Sequence, residues 1–405
     1  MGRPRKLKNV ELVPALPSGP EPADPAASPD LDPEWVARVR QHLTAWYEHA
    51  QRPLPWRADR DPYRVLVSEM MLVQTTVTAV IPYFERFLHQ FPTVQALAEA
   101  DETAVLKAWE GLGYYRRARQ LHAAARAVVA QHGGSFPGDP DAIRALPGVG
   151  RYIAGAILSF AFDQPAPIVE ANTQRVLTRW LAWREDLKSS RTQARLWQAA
   201  ERLVPSQGAG TFNQAFMELG ALICTPRSPS CLVCPVSAEC RSRAQGLQDV
   251  VPTLTPKPPP LEVAEACGLV IRKGRVLIVQ RGPGQLWEHF WEFPTIHLGG
   301  VDPAGRSFEE PVDLAEGIRR LTGVQVRVGP LVRTVRFGVT KHRVQLDAYA
   351  ATGLSDALEP GPGLVQAVWE KPDNLASHPF GAPARRLANW VSEHEAEFRE
   401  WESYD

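Results

Sequence analysis

Leu146-Pro147-Gly148-Val149-Gly150 separates two stretches with helical patterning, a short one over Asp141–Ala145 and an apolar one over Tyr152–Phe162. Two glycines within one short turn permit close backbone approach and left-handed torsion angles. The second helix then directs its free N–H groups outward, a geometry that binds phosphate. This stretch predicts a helix-hairpin-helix that holds a nucleic-acid backbone without reading its sequence. Taken alone, it fits an ordinary helix–helix turn about equally well.

Downstream of this turn, four of the five cysteines fall within 17 residues, in the spacing C-x6-C-x2-C-x5-C. Such crowding in a cytosolic protein indicates metal or cluster binding rather than disulfides. An iron–sulfur cluster fits the spacing better than zinc, whose sites usually show two paired C-x2-C elements. Pro226 and Pro235 stiffen the loops between the cysteines.

Together, the turn and the cysteine spacing resemble the helix-hairpin-helix DNA glycosylases, a superfamily that includes endonuclease III and the MutY-type adenine DNA glycosylases. The resemblance implies a structural 4Fe–4S cluster that presents a DNA-binding loop and is bound by Cys224, Cys231, Cys234 and Cys240. Arg227, Arg241 and Arg243 would be local phosphate contacts. It also implies that Gly148 and Gly150 contact DNA.

Glu69 is a candidate general acid. It lies in Ser68-Glu69-Met70-Met71-Leu72-Val73-Gln74-Thr75, an apolar setting that would raise its pKa. Cleaving an N-glycosidic bond needs one protonated acid for the departing base and one carboxylate for the sugar cation or the attacking water. The base must first leave the duplex stack. From the residues alone, an ordinary surface helix glutamate would be the default interpretation.

This stretch, with Pro55-Trp56-Arg57 upstream, is similar to the MutY pattern P-W-R … S-E-V-M-L-Q-Q-T. The resemblance implies that Glu69 protonates adenine and that the adenine pocket is lined by Trp56, Arg57, Leu72, Val77 and Gln214. It further implies a wedge in the duplex beside the opposing base, with DNA contacts from Gln74 and, in Gly111-Leu112-Gly113-Tyr114-Tyr115, from Leu112 and Tyr114. Val73 stands where the family has its first glutamine.

The second catalytic carboxylate departs from the family pattern. Where MutY proteins have aspartate in V/L-D-G-N-V, this chain reads Val169-Glu170-Ala171-Asn172-Thr173. Glu170 keeps the charge but adds a methylene, and a displacement of about an ångström can cost on the order of 100-fold in rate. Asn172 is expected to orient the carboxylate and water.

The residue two positions after the hairpin bears on mechanism. Endonuclease III and other bifunctional relatives carry a lysine there, whose amine forms a Schiff base before the strand is cut. This chain has Tyr152, which cannot form an imine. The sequence therefore predicts a monofunctional glycosylase. The resemblance to MutY-type enzymes implies that Tyr152 supports the transition state by hydrogen bonding.

Composition and patterning predict two folded regions in a chain of 405 residues. We expect a disordered proline-rich tail over 1–33, a helix-hairpin-helix glycosylase region over 34–249, a proline-rich linker over 250–261, a Nudix-like domain over 262–395 and a tail over 396–405. The fold class is mostly α with a cluster loop, followed by an α/β domain. Residues 33–250 carry 24 Lys and Arg against 20 Asp and Glu, and residues 251–405 carry 17 against 20, an asymmetry compatible with DNA binding by the first region.

The C-terminal region resembles a Nudix fold at Trp291-Glu292-Phe293-Pro294 but lacks the R-E-x-x-E-E magnesium ligands in 313–323, so pyrophosphate hydrolysis is not expected. Thr340-Lys341-His342 stands where MutY has the Phe-Ser-His loop that reads the oxidised guanine, which makes His342 a candidate lesion contact. Cys267 is expected to be a buried strand residue.

The resulting hypothesis is a monofunctional adenine glycosylase acting on double-stranded DNA with adenine opposite 8-oxoguanine or guanine. The alternatives are a glycosylase of the same fold with another mispair preference, or a catalytically weakened lesion-binding protein. No apolar run is long enough to span a bilayer, and the N-terminus has no apolar signal segment. We expect a cytoplasmic, nucleoid-associated monomer without a membrane partner.

Overall fold

The computed structural model describes residues 31–253, 255, 258–299 and 313–401. Most of the predicted N-terminal tail, residues 1–30, lies outside the described residues, as do parts of the linker and the end of the chain. The folded region begins earlier than predicted, because Leu31 is 2% exposed in a hydrophobic core and the Asp32 side chain caps the first helix by accepting from the amides of Glu34 and Trp35.

The N-terminal region is helical. Its helices are α1 (Pro33–Ala50), α2 (Pro62–Leu72), α3 (Val77–Gln90), α4 (Val94–Glu99), α5 (Glu102–Trp109), α6 (Arg116–His132), α7 (Pro140–Ala145), α8 (Arg151–Phe160), α9 (Ala171–Leu181), α10 (Ser190–Leu203), α11 (Ala209–Leu222) and α12 (Arg241–Ala244). One hydrophobic core joins α2–α6 and α8, and a second joins α1, α9, α10 and α11. Because α11 contacts both α8 and α9, the two cores meet along these helices.

The helical pattern of the sequence covers Tyr63–Gln74, but helix α2 ends two residues earlier, at Leu72. The guanidinium of Arg117 donates to the carbonyls of Met70 and Met71, at 2.5 and 3.0 Å, and so satisfies groups that a longer helix would have bonded. The chain then turns through Gln74, whose φ of 59° is left-handed. This early end leaves the Gln74 side chain exposed.

The C-terminal region is built on a seven-stranded mixed sheet of order β3-β2-β1-β6-β5, with β4 paired to β1 and β7 to β2. The strands are β1 (Leu261–Arg272), β2 (Arg275–Arg281), β3 (Trp291–Glu292), β4 (Thr295–Gly299), β5 (Val326–Val339), β6 (His342–Gly353) and β7 (Leu364–Glu370). Strand-like alternation on both sides of Lys273-Gly274 predicts a hairpin turn there. The structure confirms it, with φ of 49° and 67° and Arg272 paired to Arg275. The sequence pattern predicts separate strands over Val324–Val328 and Leu331–Phe337, whereas β5 is one bulged strand.

Helices cover both faces of this sheet. Leu314 and Ile318 of α13 (Leu314–Thr322) belong to the core on one face, and Leu387 and Val391 of α14 (Ala382–Glu393) belong to the core on the other. Cys267 is fully buried in β1, as predicted.

The predicted C-terminal tail over 396–405 starts too early. Residues Glu395–Glu400 form α15, Phe398 is fully buried, and Trp401 stacks on Trp390 with ring centroids 6.0 Å apart. These two aromatic side chains anchor the segment to the domain core. Residues 402–405 lie outside the described part of the chain.

Among the described residues, no helix combines the length and the apolar character needed to cross a bilayer.

Candidate active site

A cavity of about 920 Å³ opens where α2, α8, α9 and α11 meet. The structure brings together in its lining ten residues that the sequence singled out for catalysis, base binding or duplex contact: Trp56, Arg57, Glu69, Leu72, Gln74, Val77, Tyr152, Glu170, Asn172 and Gln214. This volume lies in the range of cavities that enclose most of a small molecule.

Glu69 lies on the buried face of α2, 3% exposed. Its Oε2 accepts a 2.5 Å hydrogen bond from the hydroxyl of Tyr152, which follows the first residue of α8. Burial, aided by the nearby charge of Glu170, raises the pKa of Glu69 to about 7, against the opposing effects of the Tyr152 hydrogen bond and of Arg57. A carboxyl group with this pKa can deliver a proton near neutral pH and later take one back.

Tyr152 remains a donor. Burial, together with the charges of Glu69 and Glu170, raises the pKa of its hydroxyl well above the ordinary value. The hairpin turn therefore places a neutral hydroxyl, not an amine, beside the acid.

Glu170 is the N-cap of α9. Its Oε2 accepts from the backbone and side-chain nitrogens of Asn172, at 2.8 and 3.2 Å, and its Oε1 accepts from the amide of Thr173 at 2.8 Å. The Thr173 hydroxyl completes a capping box by accepting from the Glu170 amide. Burial raises the pKa of Glu170, whereas these hydrogen bonds and the Arg175 charge favour the ionised form.

Asn172 and Arg175 connect this carboxylate to the cysteine loop. The Oδ1 of Asn172 accepts from Arg175 at 2.8 Å, and the same guanidinium donates to the carbonyl of Cys224 at 2.7 Å. One turn further along α9, Arg179 donates to the Cys224 sulfur at 3.3 Å and to the carbonyl of Thr225 at 2.7 Å. A single helix thus carries the second carboxylate and holds the loop.

An ion-pair cluster on the cavity wall was not anticipated from the sequence. Glu218, 1% exposed on α11, binds Arg52 at 2.7 Å and Arg57 at 3.0 Å. Burial would raise the pKa of Glu218, but the hydrogen bonds and charges of both arginines hold it at about 2. Glu218 lies within the apolar run of α11, and this pattern, which identified Glu69 on α2, could also have identified Glu218. Gln214 is also fixed in place, since it accepts from the Tyr47 hydroxyl at 2.9 Å.

Two exposed side chains flank the cavity on tight turns. Gln74 and Tyr114 both have left-handed φ, 59° and 49°, and Tyr114 is 54% exposed. Arg117 joins the turns by donating to the Thr75 hydroxyl at 3.4 Å and the Gly113 carbonyl at 3.3 Å. The predicted DNA contact at Leu112 is not supported, because this side chain is 8% exposed and belongs to the hydrophobic core.

The hairpin joins α7 to α8 as predicted. Gly148 has a φ of 74°, and a Cβ there would lie 2.6 Å from the Cβ of Gln120, so a larger residue would not fit. Gly150 is exposed and begins α8 without a side-chain cap. The first amides of α8 therefore face a position suited to a phosphate.

The four clustered cysteines line one small cavity with Arg179 and Arg243. All four thiols are free of disulfides. Burial raises the pKa of Cys234 to about 12, so its thiolate would need a nearby positive charge. In the described residues, no three or more His, Cys, Asp or Glu side chains are grouped as ligands of a single metal ion. The four thiols would instead hold a cluster jointly.

His342 is not on the surface. It opens β6 at a position whose side chain points inward and is 2% exposed, while Thr340 and Lys341 at the turn are exposed. The structure therefore gives no support to His342 as a lesion contact. On α13, the carboxylate of Glu316 forms ion pairs with Arg319 at 2.7 Å and with Arg320 at 2.8 Å.

Comparison with known proteins matches residues 67–202 to the HhH-GPD superfamily of base excision DNA repair proteins and residues 266–390 to the NUDIX domain. The adenine DNA glycosylase of Rattus norvegicus is 35% identical over 396 residues, covering 84% of this chain and 76% of the relative. That of Arabidopsis thaliana is 36% identical over 325 residues, covering 70% and 51%.

Among solved structures, a thermostable thymine-DNA glycosylase is 30% identical and covers 52% of this chain and 98% of its own, with a TM-score of 0.48.

The two matched regions lie within the helical region and the sheet domain, and the match to the rat relative covers 84% of the chain and so extends over both. The chain therefore belongs to the adenine DNA glycosylase family: it is a DNA glycosylase with an HhH-GPD catalytic region and a C-terminal Nudix-like domain.

Proposed function

We propose that the protein hydrolyses the N-glycosidic bond of adenine mispaired with 8-oxoguanine or guanine in double-stranded DNA and leaves an abasic site. The observation that carries this proposal is the pair formed by Glu69 and Tyr152. A buried carboxyl with a pKa of about 7 is bonded at 2.5 Å to a hydroxyl, at the place where strand cleavage would need an amine.

In the proposed reaction, Glu69 donates its proton to a ring nitrogen of the flipped adenine. The bond to the sugar breaks, its electron pair leaves with the base, and the sugar becomes an oxocarbenium ion. The carboxylate of Glu170, held by Asn172 and Thr173, stabilises that cation. Water then adds to the sugar carbon, and its proton passes to Glu69, which restores the acid.

The surrounding residues position the base. Gln214, fixed by Tyr47, offers an amide for hydrogen bonding, and Trp56, Leu72 and Val77 provide apolar contact. Arg57 is held against Glu218, which leaves part of its guanidinium to face the base. Gln74 and Tyr114 would enter the duplex beside the extruded nucleotide, and the amides at Gly148–Gly150 would hold a phosphate.

We further propose that Cys224, Cys231, Cys234 and Cys240 bind a 4Fe–4S cluster. Four free thiols around one cavity, at positive side chains, suit such a group. When bound, the cluster would supply structure rather than chemistry, by fixing the loop that Arg175 and Arg179 hold to α9. Purified protein should contain iron and absorb at about 400 nm, and a colourless, zinc-loaded protein would contradict the assignment.

Single-turnover excision on duplexes with adenine opposite 8-oxoguanine tests the main proposal. We expect rapid adenine release, no strand cleavage until alkali is added, and little release from thymine or uracil mispairs. Release of another base would indicate a different mispair preference. Tight binding without release, in protein that retains its iron, would indicate a lesion-binding protein that has lost catalysis.

A further inference from the structure

The Nudix-like domain contacts the helical region on both sides of the turn that carries Tyr114. Before the turn, the guanidinium of Arg385 binds the Glu110 carboxylate through Nε at 2.5 Å and Nη2 at 3.2 Å, and the Lys107 amine donates to the carbonyl of His378 at 3.3 Å. After it, Arg119 donates to the carbonyl of Glu288 at 2.9 Å. These contacts fall within residues 107–119.

An aromatic contact reaches the turn itself. Phe290 of the Nudix-like domain, 1% exposed, packs within the core of the helical region, its ring centroid 4.0 Å from that of Tyr115. The Tyr115 hydroxyl accepts from the amide of Gly111 at 3.3 Å. Phe290 is therefore connected, through one side chain, to the backbone two residues before Gly113-Tyr114.

Contacts and backbone geometry within the Nudix-like domain fix the positions of Arg385 and Phe290. Arg385 donates to the carbonyls of Leu375 and His378, at 3.0 and 2.5 Å, so its direction toward Glu110 is fixed. The loop that delivers Phe290 has left-handed φ at Trp287 and His289, 59° and 67°. Non-glycine residues rarely adopt such torsions unless the surrounding structure enforces them.

We infer that the Nudix-like domain positions the Tyr114 turn for insertion into DNA, through the Arg385–Glu110 ion pair and the Phe290–Tyr115 contact. Arg385 and Phe290 are then positioning residues for base excision, although neither lines the catalytic cavity. This inference rests on the proposed role of Tyr114 as a wedge.

The test is a double-mutant cycle on single-turnover adenine excision in the full-length protein, with the variants R385M, Y114A and the two combined. We expect R385M to slow excision by about tenfold and Y114A by about thirtyfold, since small misplacements of positioning groups have effects of this order. Because R385M acts through the wedge, the combined variant should be no slower than Y114A alone.

R272M is the matched control. It removes an arginine of similar exposure in the same domain, whose partner Asp356 lies in that domain rather than across the interface. Its excision rate should equal that of the wild type. If R385M destabilises the fold, seen as a loss of several degrees in melting temperature, E110Q removes the same ion pair from the helical side and replaces it in the cycle.

The outcomes separate the two proposals. If Y114A excises adenine at the wild-type rate, the wedge role fails and this inference fails with it. If Y114A is slow but R385M is normal, or if the two defects multiply, the wedge stands and positioning by the Nudix-like domain is wrong.

Discussion

Glu69 and Glu170 line the same cavity, yet the end of α2 and the start of α9 surround them with different chemistry. Glu69 is enclosed by apolar neighbours and accepts a hydrogen bond from one hydroxyl. Glu170 accepts from three N–H groups at a helix N-terminus, where the helix dipole also favours negative charge. Two identical side chains are thereby given opposite tasks, one as proton donor and one as fixed anion.

Of the substitutions that test the difference between Glu69 and Glu170, E69Q is expected to have the largest effect on the rate of excision. An amide cannot protonate adenine, and loss of a general acid costs on the order of 10³-fold, so single-turnover excision should fall by at least that factor. Glu48, exposed at the rim of the cavity, gives the matched control E48Q, which should keep wild-type activity. If E69Q excises adenine at a rate within tenfold of the wild type, another group supplies the proton.

The second prediction concerns Glu170. E170Q removes the anion and should slow excision by about 100-fold. E170D keeps the charge and an N-cap that aspartate favours, so we expect a rate within tenfold of wild type in single-turnover assays. A gain of 100-fold in E170D would show instead that the longer side chain misplaces the carboxylate.

The third prediction is a stability effect of E69Q. Since the folded-state pKa of Glu69, about 7, exceeds its ordinary value of 4.5, the folded state is most stable when the carboxyl is protonated and loses stability as pH rises through this range. The full shift corresponds to about 3 kcal/mol; we expect E69Q to recover about 1–2 kcal/mol at about pH 8 and little at about pH 4. Denaturant unfolding at both values measures it. If E69Q changes the free energy of unfolding by the same amount at both pH values, the carboxyl of Glu69 is solvated in the folded protein.

The smallest effect is expected for Y152F. The Tyr152 hydrogen bond lowers the pKa of Glu69, so its loss should move the alkaline limb of the pH–rate profile upward from about 7. The maximal rate should fall by about fivefold. The variant Y83F, at a half-buried tyrosine outside the cavity lining, should leave the limb unchanged. If the alkaline limb of the pH–rate profile does not move in Y152F, the limb reports the titration of a group other than Glu69.

Much of this site could be predicted because its signals are local. The glycines at 148 and 150, the cysteine spacing and the apolar residues around Glu69 are each contained in a short stretch. The resemblance to MutY-type enzymes then supplied Trp56, Gln214 and Asn172, which lie far apart in sequence but line one cavity.

The features of the site that the sequence did not predict depend on contacts between residues far apart in the chain. Glu218 becomes an ion-pair partner only when α11 meets Arg52 and Arg57, and Arg117 ends α2 from a helix more than forty residues away. The burial of His342 could not be predicted because a turn motif does not show which way the following strand side chain points. The burial of Leu112 could not be predicted either, because a leucine between two glycines can face the core as readily as the surface.

The position of Glu170 also has a consequence for how such enzymes diverge. Aspartate and glutamate codons differ at the third base alone, so one nucleotide change exchanges them without an uncharged intermediate. A carboxylate that caps its own helix keeps both the cap and the charge through that change, whereas most other single-base changes lose at least one of them. Exchange between these two acidic residues therefore preserves the cap of α9 together with the negative charge in the cavity.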